Sequence, residues 1–130
     1  MRVTVTCPCG AGRSYAQCCG TLHAGVAAAN AEALMRARYS AYALGLGDYL
    51  VRSWHATTRP PDFSLDNEAP QSPAWLGLSI KRFRESGPDA ADVEFIARYR
   101  VGGGKAVRLH ERSRFIREDG HWFYLDGVHL

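Results

Sequence analysis

The chain has 130 residues, the size of one ordinary domain with room for a small appended module. Its 46% hydrophobic and 22% charged content describes a soluble globular protein, and no apolar run approaches the ~20 residues of a membrane span. Sixteen Lys and Arg against thirteen Asp and Glu give a net charge of +3, too small and too evenly scattered to argue for nucleic acid as a partner.

In chain order, the first informative stretch is CPCGAGRSYAQCCG, residues 7–20, which holds all four cysteines: Cys7, Cys9, Cys18 and Cys19. Cys7 and Cys9 are too close along the chain to bridge readily, and adjacent cysteines such as Cys18 and Cys19 form only strained disulfides. The preceding MRVTVT lacks the apolar run of a secretory signal, so a reducing cytoplasm is expected, where structural disulfides are rare. The spacing C-x-C-x8-C-C with interleaved glycines instead favours a tetrahedral Zn2+ on four thiolates over redox use. Four protein ligands leave no open position, which makes the expected zinc structural.

The residues between the thiols suit that task. Pro8 fixes φ between the first pair, and Gly10, Gly12 and Gly20 are expected to supply the positive φ angles of a knuckle. RSYAQCC reads as about two helical turns capped by Ser14, returning Cys18 and Cys19 to the ion. Four thiolates around a dication leave −2, so the formal +3 becomes +1. Backbone N–H groups of the glycine turns and Arg13 are the expected partners of that local anion. His23 is the residue that would replace a cysteine as ligand, although a polar residue at the edge of the module is the plainer reading.

Beyond the knuckle, AAANAEALMRARYSAYALGLG predicts an amphipathic helix of about four turns, capped by Asn30 and ended by Gly45 and Gly47. Arg36 and Arg38, with Arg52, read as its solvated face. YLVRSWH predicts a short second helix capped by Asp48, and the proline-rich residues 56–73 a loop. Three alternating stretches follow. WLGLSIKRFRES sets Leu76, Leu78 and Ile80 against Gly77, Ser79 and Lys81. ADVEFIARYRV sets Val93, Phe95, Ala97, Tyr99 and Val101 on one face, and AVRLHERSRFIRE sets Val107, Leu109 and Phe115 with Glu111 and Ser113. GGGK is a turn between strands rather than a phosphate loop, and DG turns the chain into HWFYLDGVHL. Two helices followed by a three- or four-stranded antiparallel meander make an α+β domain, with the long helix covering one sheet face.

The cysteine stretch resembles the SEC-C motif, the zinc knuckle at the C-terminus of the SecA translocation ATPase. With LMRARYSAYALGLGDYLVRSWH, WLGL, ERSRF and HWFYLDG, nearly the whole chain resembles the YchJ-like family, in which a SEC-C motif precedes a nuclear transport factor 2-like domain. The resemblance implies a cone-shaped domain of helices packed on a curved antiparallel sheet, and a protein or ribosome partner for the knuckle. It divides the chain into a module at 1–24 and a domain at 25–130. Many members carry a second SEC-C motif at their C-terminus, whereas this chain has no cysteine after Cys19.

Such domains commonly keep a pocket between sheet and helices, and the candidates to line it are His55, Tyr99, Glu111, Tyr124 and Asp126. The plainer reading of Glu111 is an ion pair with Arg98, Arg112 or Arg114, or a bond to a tyrosine hydroxyl. Trp54, Trp75 and Trp122 read as core fillers, and Lys81, Arg82, Arg108, Arg112 and Arg114 as a basic stripe on the outer sheet face. No catalytic residue is assigned. The expected function is a zinc-containing binding or interaction protein whose pocket takes a partner or small ligand. The alternative is a small-molecule enzyme with Glu111, His55 or Asp126 as acid or base.

Overall fold

The computed structural model describes residues 5–65 and 73–130. A 3-10 turn at Tyr15–Gln17 precedes helices α1 (Cys19–His23), α2 (Ala31–Leu44) and α3 (Gly47–Arg52) and strands β1 (Pro73–Gly87), β2 (Ala90–Val101), β3 (Val107–Glu118) and β4 (His121–His129). The strands form one antiparallel sheet in the order β1-β2-β3-β4, an α+β arrangement in which the helices lie on one face. None of the described helices is long and apolar enough to cross a membrane.

Helix α2 begins where Asn30 Oδ1 accepts the Ala33 N–H at 2.8 Å and ends at Gly45, whose φ of 75° is the left-handed cap expected of it. Leu34, Ala37 and Ala41 are buried in the same core as Val93, Phe95 and Phe115 of the sheet. Helix α3 stops at Arg52, short of the expected His55. The backbone beyond it is taken by β4 instead: Tyr124 N–H donates to Ser53 O at 2.9 Å, and His55 N–H donates to Tyr124 O at 2.8 Å. Asp48 lies in the first turn of α3 rather than at its cap. Residues 66–72 of the expected loop lie outside the described residues.

Bulges decide which residues face the helices. In β1 the pairing skips Leu76 and Lys81, so Trp75, Leu78, Ile80 and Phe83 pack inward while Leu76 is left 43% exposed. Simple alternation from Leu76 misses the inward turn of Trp75. In β4 the pairing skips Leu125: Trp122 and Tyr124 stay with the core, whereas Asp126 moves to the outer face opposite Arg114. The β3–β4 hairpin closes through Asp119 and Gly120, with φ of 52° and 78°, the pair of left-handed residues that a two-residue turn needs.

Candidate metal centre and cavity

The four cysteines converge because their loop turns twice through left-handed glycines. Gly10 and Gly12 have φ of 81° and 82°, while Cys7 N–H donates to Arg13 O at 2.9 Å and closes the loop. Gly20 does not follow them. It lies in α1, where a Cβ would stand 2.6 Å from Tyr15 O, so close approach rather than positive φ demands glycine there. Ser14 occupies the cap position without a side-chain bond.

The four Sγ atoms lie within 4.8 Å of one another, and Cys9 Sγ stands 3.6 Å from Cys18 Sγ. Tetrahedral zinc with bonds of about 2.3 Å sets its sulfurs about 3.8 Å apart, so the donor set fits such an ion in type and spacing. Protons also favour a cation. The hydrogen bond from the Cys19 thiol holds Cys9 down to about 4, burial pushes Cys18 up, and donation to Cys9 pushes Cys19 up. Charge placed on one sulfur is thus stabilised by protons kept on its neighbours; a divalent ion allows all four to ionise.

Outer partners of the sulfurs come from the glycine turn, as expected, and from α2 rather than from Arg13. Ser40 of α2, fully buried, places Oγ 3.6 Å from Cys7 Sγ and also bonds Cys19, while Ala11 N–H bonds Cys9. Arg36 Nη1 donates to Cys9 O at 2.9 Å, so this arginine grips the knuckle. Arg13 turns away and donates to Gln17 O at 2.6 Å. His23 is placed as a packing residue. Its Nε2 lies 2.8 Å from Ala37 O and its Nδ1 2.6 Å from Tyr15 Oη. A carbonyl accepts only, so Nε2 carries the proton and Nδ1 accepts from Tyr15.

A second feature lies between α2 and the sheet, a cavity of about 270 Å³ with mostly apolar and aromatic walls. Glu111 and Tyr124 line it. The other three candidates do not. Asp126 is carried out by the Leu125 bulge and pairs with Arg114 at 2.5 and 2.6 Å, which holds its carboxyl below the usual range. His55, drawn onto the edge of β4, is bonded through Nε2 to Glu118 and through Nδ1 to Thr57 Oγ1 at 2.6 Å. Tyr99 packs behind Trp75, ring centroids 5.4 Å apart, outside the lining.

Arg38 is the residue that sequence reasoning misplaced. It is 3% exposed, lines the cavity, and donates from Nη1 to Leu50 O at 2.9 Å and Ser53 Oγ at 2.7 Å. Its guanidinium carbon lies 5.1 Å from the Trp54 ring centre and 4.5 Å from that of Tyr124. Position foretold what residue type concealed: Arg38 falls four residues after Leu34 and three before Ala41, inside the apolar stripe. Trp54 and Trp75 also line the cavity, whereas Trp122 is core.

Among the described residues, Glu111 is bonded neither to an arginine nor to a tyrosine. Ser113 Oγ donates to its Oε2 at 2.9 Å, and Oε1 lies 3.8 Å from His129 Nε2. The carboxylate rests on bare backbone: a Cβ at Gly127 would stand 2.9 Å from Glu111 Cδ and Oε2. Burial, then the Glu111 charge, pushes Tyr124 up to about 12, and burial pushes Tyr42 up and Arg38 down. The expected basic stripe is interrupted by acids. Asp92 pairs with Arg84 at 3.1 Å, Glu94 lies between Arg82 and Arg112 in the register, and Asp126 holds Arg114.

Comparison with known proteins bears on the fold and on the cysteine cluster. A family model described as YchJ, middle NTF2-like domain, matches residues 30–127, and a SEC-C motif model matches residues 5–21. A UPF0225 protein of Xanthomonas campestris pv. campestris strain 8004 is 58% identical over 124 residues, 95% of each chain. Another, from Chromobacterium violaceum, is 52% identical over 126 residues, 94% of this chain and 91% of that one. The solution structure of a SEC-C motif containing protein from Rhodopseudomonas palustris is 40% identical with a TM-score of 0.85, covering 97% of this chain and 99% of that one. A crystal structure of a SEC-C motif containing protein from Psychrobacter arcticus is 28% identical with a TM-score of 0.75, over 92% and 80% of the two chains. Fold, cysteine cluster and these matches agree, and the chain belongs to the YchJ-like family, with a SEC-C motif ahead of a nuclear transport factor 2-like domain.

Proposed function

We propose that the protein is a zinc-containing binding protein, in which Cys7, Cys9, Cys18 and Cys19 hold one structural Zn2+ and the cavity takes a small ligand. The observation that carries this reading is the shared use of α2. One set of its side chains, Arg36 and Ser40, holds the knuckle, while Met35, Arg38, Tyr39 and Tyr42 wall the cavity. A four-thiolate ion has no free position for substrate, so its contribution is to fix the wall of a binding site. Residues 1–24 act as the metal module and 25–130 as the ligand-binding domain. The free cysteines suit a reducing cytoplasm, and the exposed side of the knuckle is the surface for a protein or ribosome partner that the SEC-C resemblance implies. A second reading, a small-molecule enzyme, is favoured by one observation, the Glu111 carboxylate on the cavity wall.

Native mass spectrometry of protein purified without chelator tests the main reading. One zinc per chain, lost in Cys9→Ser, is the expected result; a metal-free native protein overturns it. A ligand that copurifies and returns chemically unchanged separates binding from catalysis.

A further inference from the structure

Among the described residues, the cavity lining contains two charged residues, Arg38 and Glu111, of opposite sign, and they do not pair with one another. Among the described residues, Arg38 bonds only neutral acceptors, and its bonds leave from Nη1 alone. Its remaining compensation is the faces of Trp54 and Tyr124. Glu111, with a side chain 16% exposed, has the Ser113 hydroxyl and an exposed histidine for neighbours, and no Lys or Arg ion pair among the described residues. Opposite charges in one apolar cavity gain by closing on each other, unless each is tied back. Here both are tied: Arg38 to the end of α3, Glu111 to Ser113 and the bare backbone of Gly127.

We propose that the cavity binds a small dipolar molecule with a flat apolar body, an anionic group toward Arg38 and an ammonium group toward Glu111. The inference rests on the binding function proposed above and names the class of ligand. A neutral apolar guest leaves both partly desolvated charges without counter-charge. A simple anion faces Glu111 and a simple cation faces Arg38; a zwitterion satisfies both. Tyr42 and Trp75 offer broad flat walls to its body. The volume of about 270 Å³ falls just below the usual range of ligand sites, which limits the body to about one ring with a short chain.

Four probes of one shape isolate the two charges: L-phenylalanine, 3-phenylpropanoate, phenethylamine and neutral 3-phenylpropan-1-ol, titrated at pH 7 into the metal-loaded full chain and followed by amide chemical shifts and calorimetry. L-Phenylalanine is expected to bind at least about tenfold more tightly than each singly charged probe, because each matched charge adds a charge-assisted contact. In Glu111→Gln that advantage over 3-phenylpropanoate disappears. In Arg38→Lys, which keeps the charge but loses the fork, the advantage over phenethylamine shrinks; amide spectra confirm that both variants are folded. Binding of all four probes within about threefold of one another, or tightest binding of the neutral one, overturns the inference and leaves a binding cavity in place. Binding of none overturns the inference and the binding function together.

Discussion

The knuckle and the cavity meet on α2 and are assembled in contrasting ways. The knuckle takes its four sulfurs from thirteen consecutive residues, 7–19, and its shape follows from local turns and one bonding geometry. The cavity takes its walls from α2, all four strands and the segment after α3, and its two charges come from residues 73 positions apart. A cluster built from adjacent residues depends on its local turns, whereas a cavity built from distant parts is held by everything that fixes those parts, the knuckle included. The two regions therefore differ in what breaks them.

The largest effect is expected from the metal. Cys9→Ser, at the most buried of the four cysteines, or stripping by a strong chelator, removes the proposed ion, which would allow all four thiols to ionise together. Several kcal/mol of stability should go with it, a fall of about 10 °C or more in Tm, together with amide protection across residues 5–24. The sheet should keep its own protection, while shifts of Met35, Tyr39 and Tyr42 report that the cavity wall has loosened. If hydrogen exchange shows α2 unchanged in the stripped protein, knuckle and cavity are independent and their shared helix has no consequence.

Two arginines on α2, two residues apart, sharpen the contrast. Arg38→Met leaves Leu50 O and Ser53 Oγ without their buried donor and removes a cation from between two rings, so a loss of about 2–4 kcal/mol is expected by denaturant titration. Arg36→Met breaks one bond to Cys9 O and a half-exposed pair with Glu32, and about 1 kcal/mol is expected. The informative result is the separation: Arg38→Met should spare metal affinity and Arg36→Met should weaken it. Equal stability losses would mean that Arg38 is compensated by water rather than by the groups around it.

How much of this was legible in the sequence follows the same division. The cysteine cluster is readable because its four sulfurs and the turns at Gly10 and Gly12 are neighbours along the chain, as are α2 from Asn30 to Gly45 and the hairpin at Asp119-Gly120. The cavity was readable only where strand alternation held, which placed Glu111 and Ser113 inward. Each bulge reverses the faces beyond it, so the skip at Leu125 sent Asp126 outward and the skip at Leu76 brought Trp75 in. His55 was lost to a long-range backbone pairing with Tyr124 that no local pattern encodes. Arg38 is hidden by its residue type, a charge at a position inside the apolar stripe of α2.

A smaller and more local test concerns Gly127. Alanine there sets a Cβ 2.9 Å from the Glu111 carboxylate, which must swing away from Ser113 at a cost of about 1 kcal/mol. In a double-mutant cycle, Glu111→Ala should remove most of that cost, because the methyl then has nothing to displace. Strict additivity would show that the carboxylate already lies elsewhere in solution.

The smallest effect belongs to the boundary between the two regions, where His23 is packed against Tyr15, Tyr49 and Ala37. Burial, together with the nearby Arg52, sets its pKa below the ordinary 6.5 despite the bond to Ala37 O. The neutral ring is the form that fits, accepting from Tyr15 and donating to Ala37. As pH falls through 6.5 the unfolded chain binds a proton before the folded one does, so stability is present above that pH and declines below it until the folded ring also titrates. His23→Gln, unable to take the proton, should lose less stability than the parent between pH 7.5 and 5.5. Protonation of the sulfurs contributes equally to both proteins and cancels in the difference of their slopes. A parent slope no steeper than that of His23→Gln would place the proton on the folded ring already, and with it a charge at the seam where knuckle and domain meet.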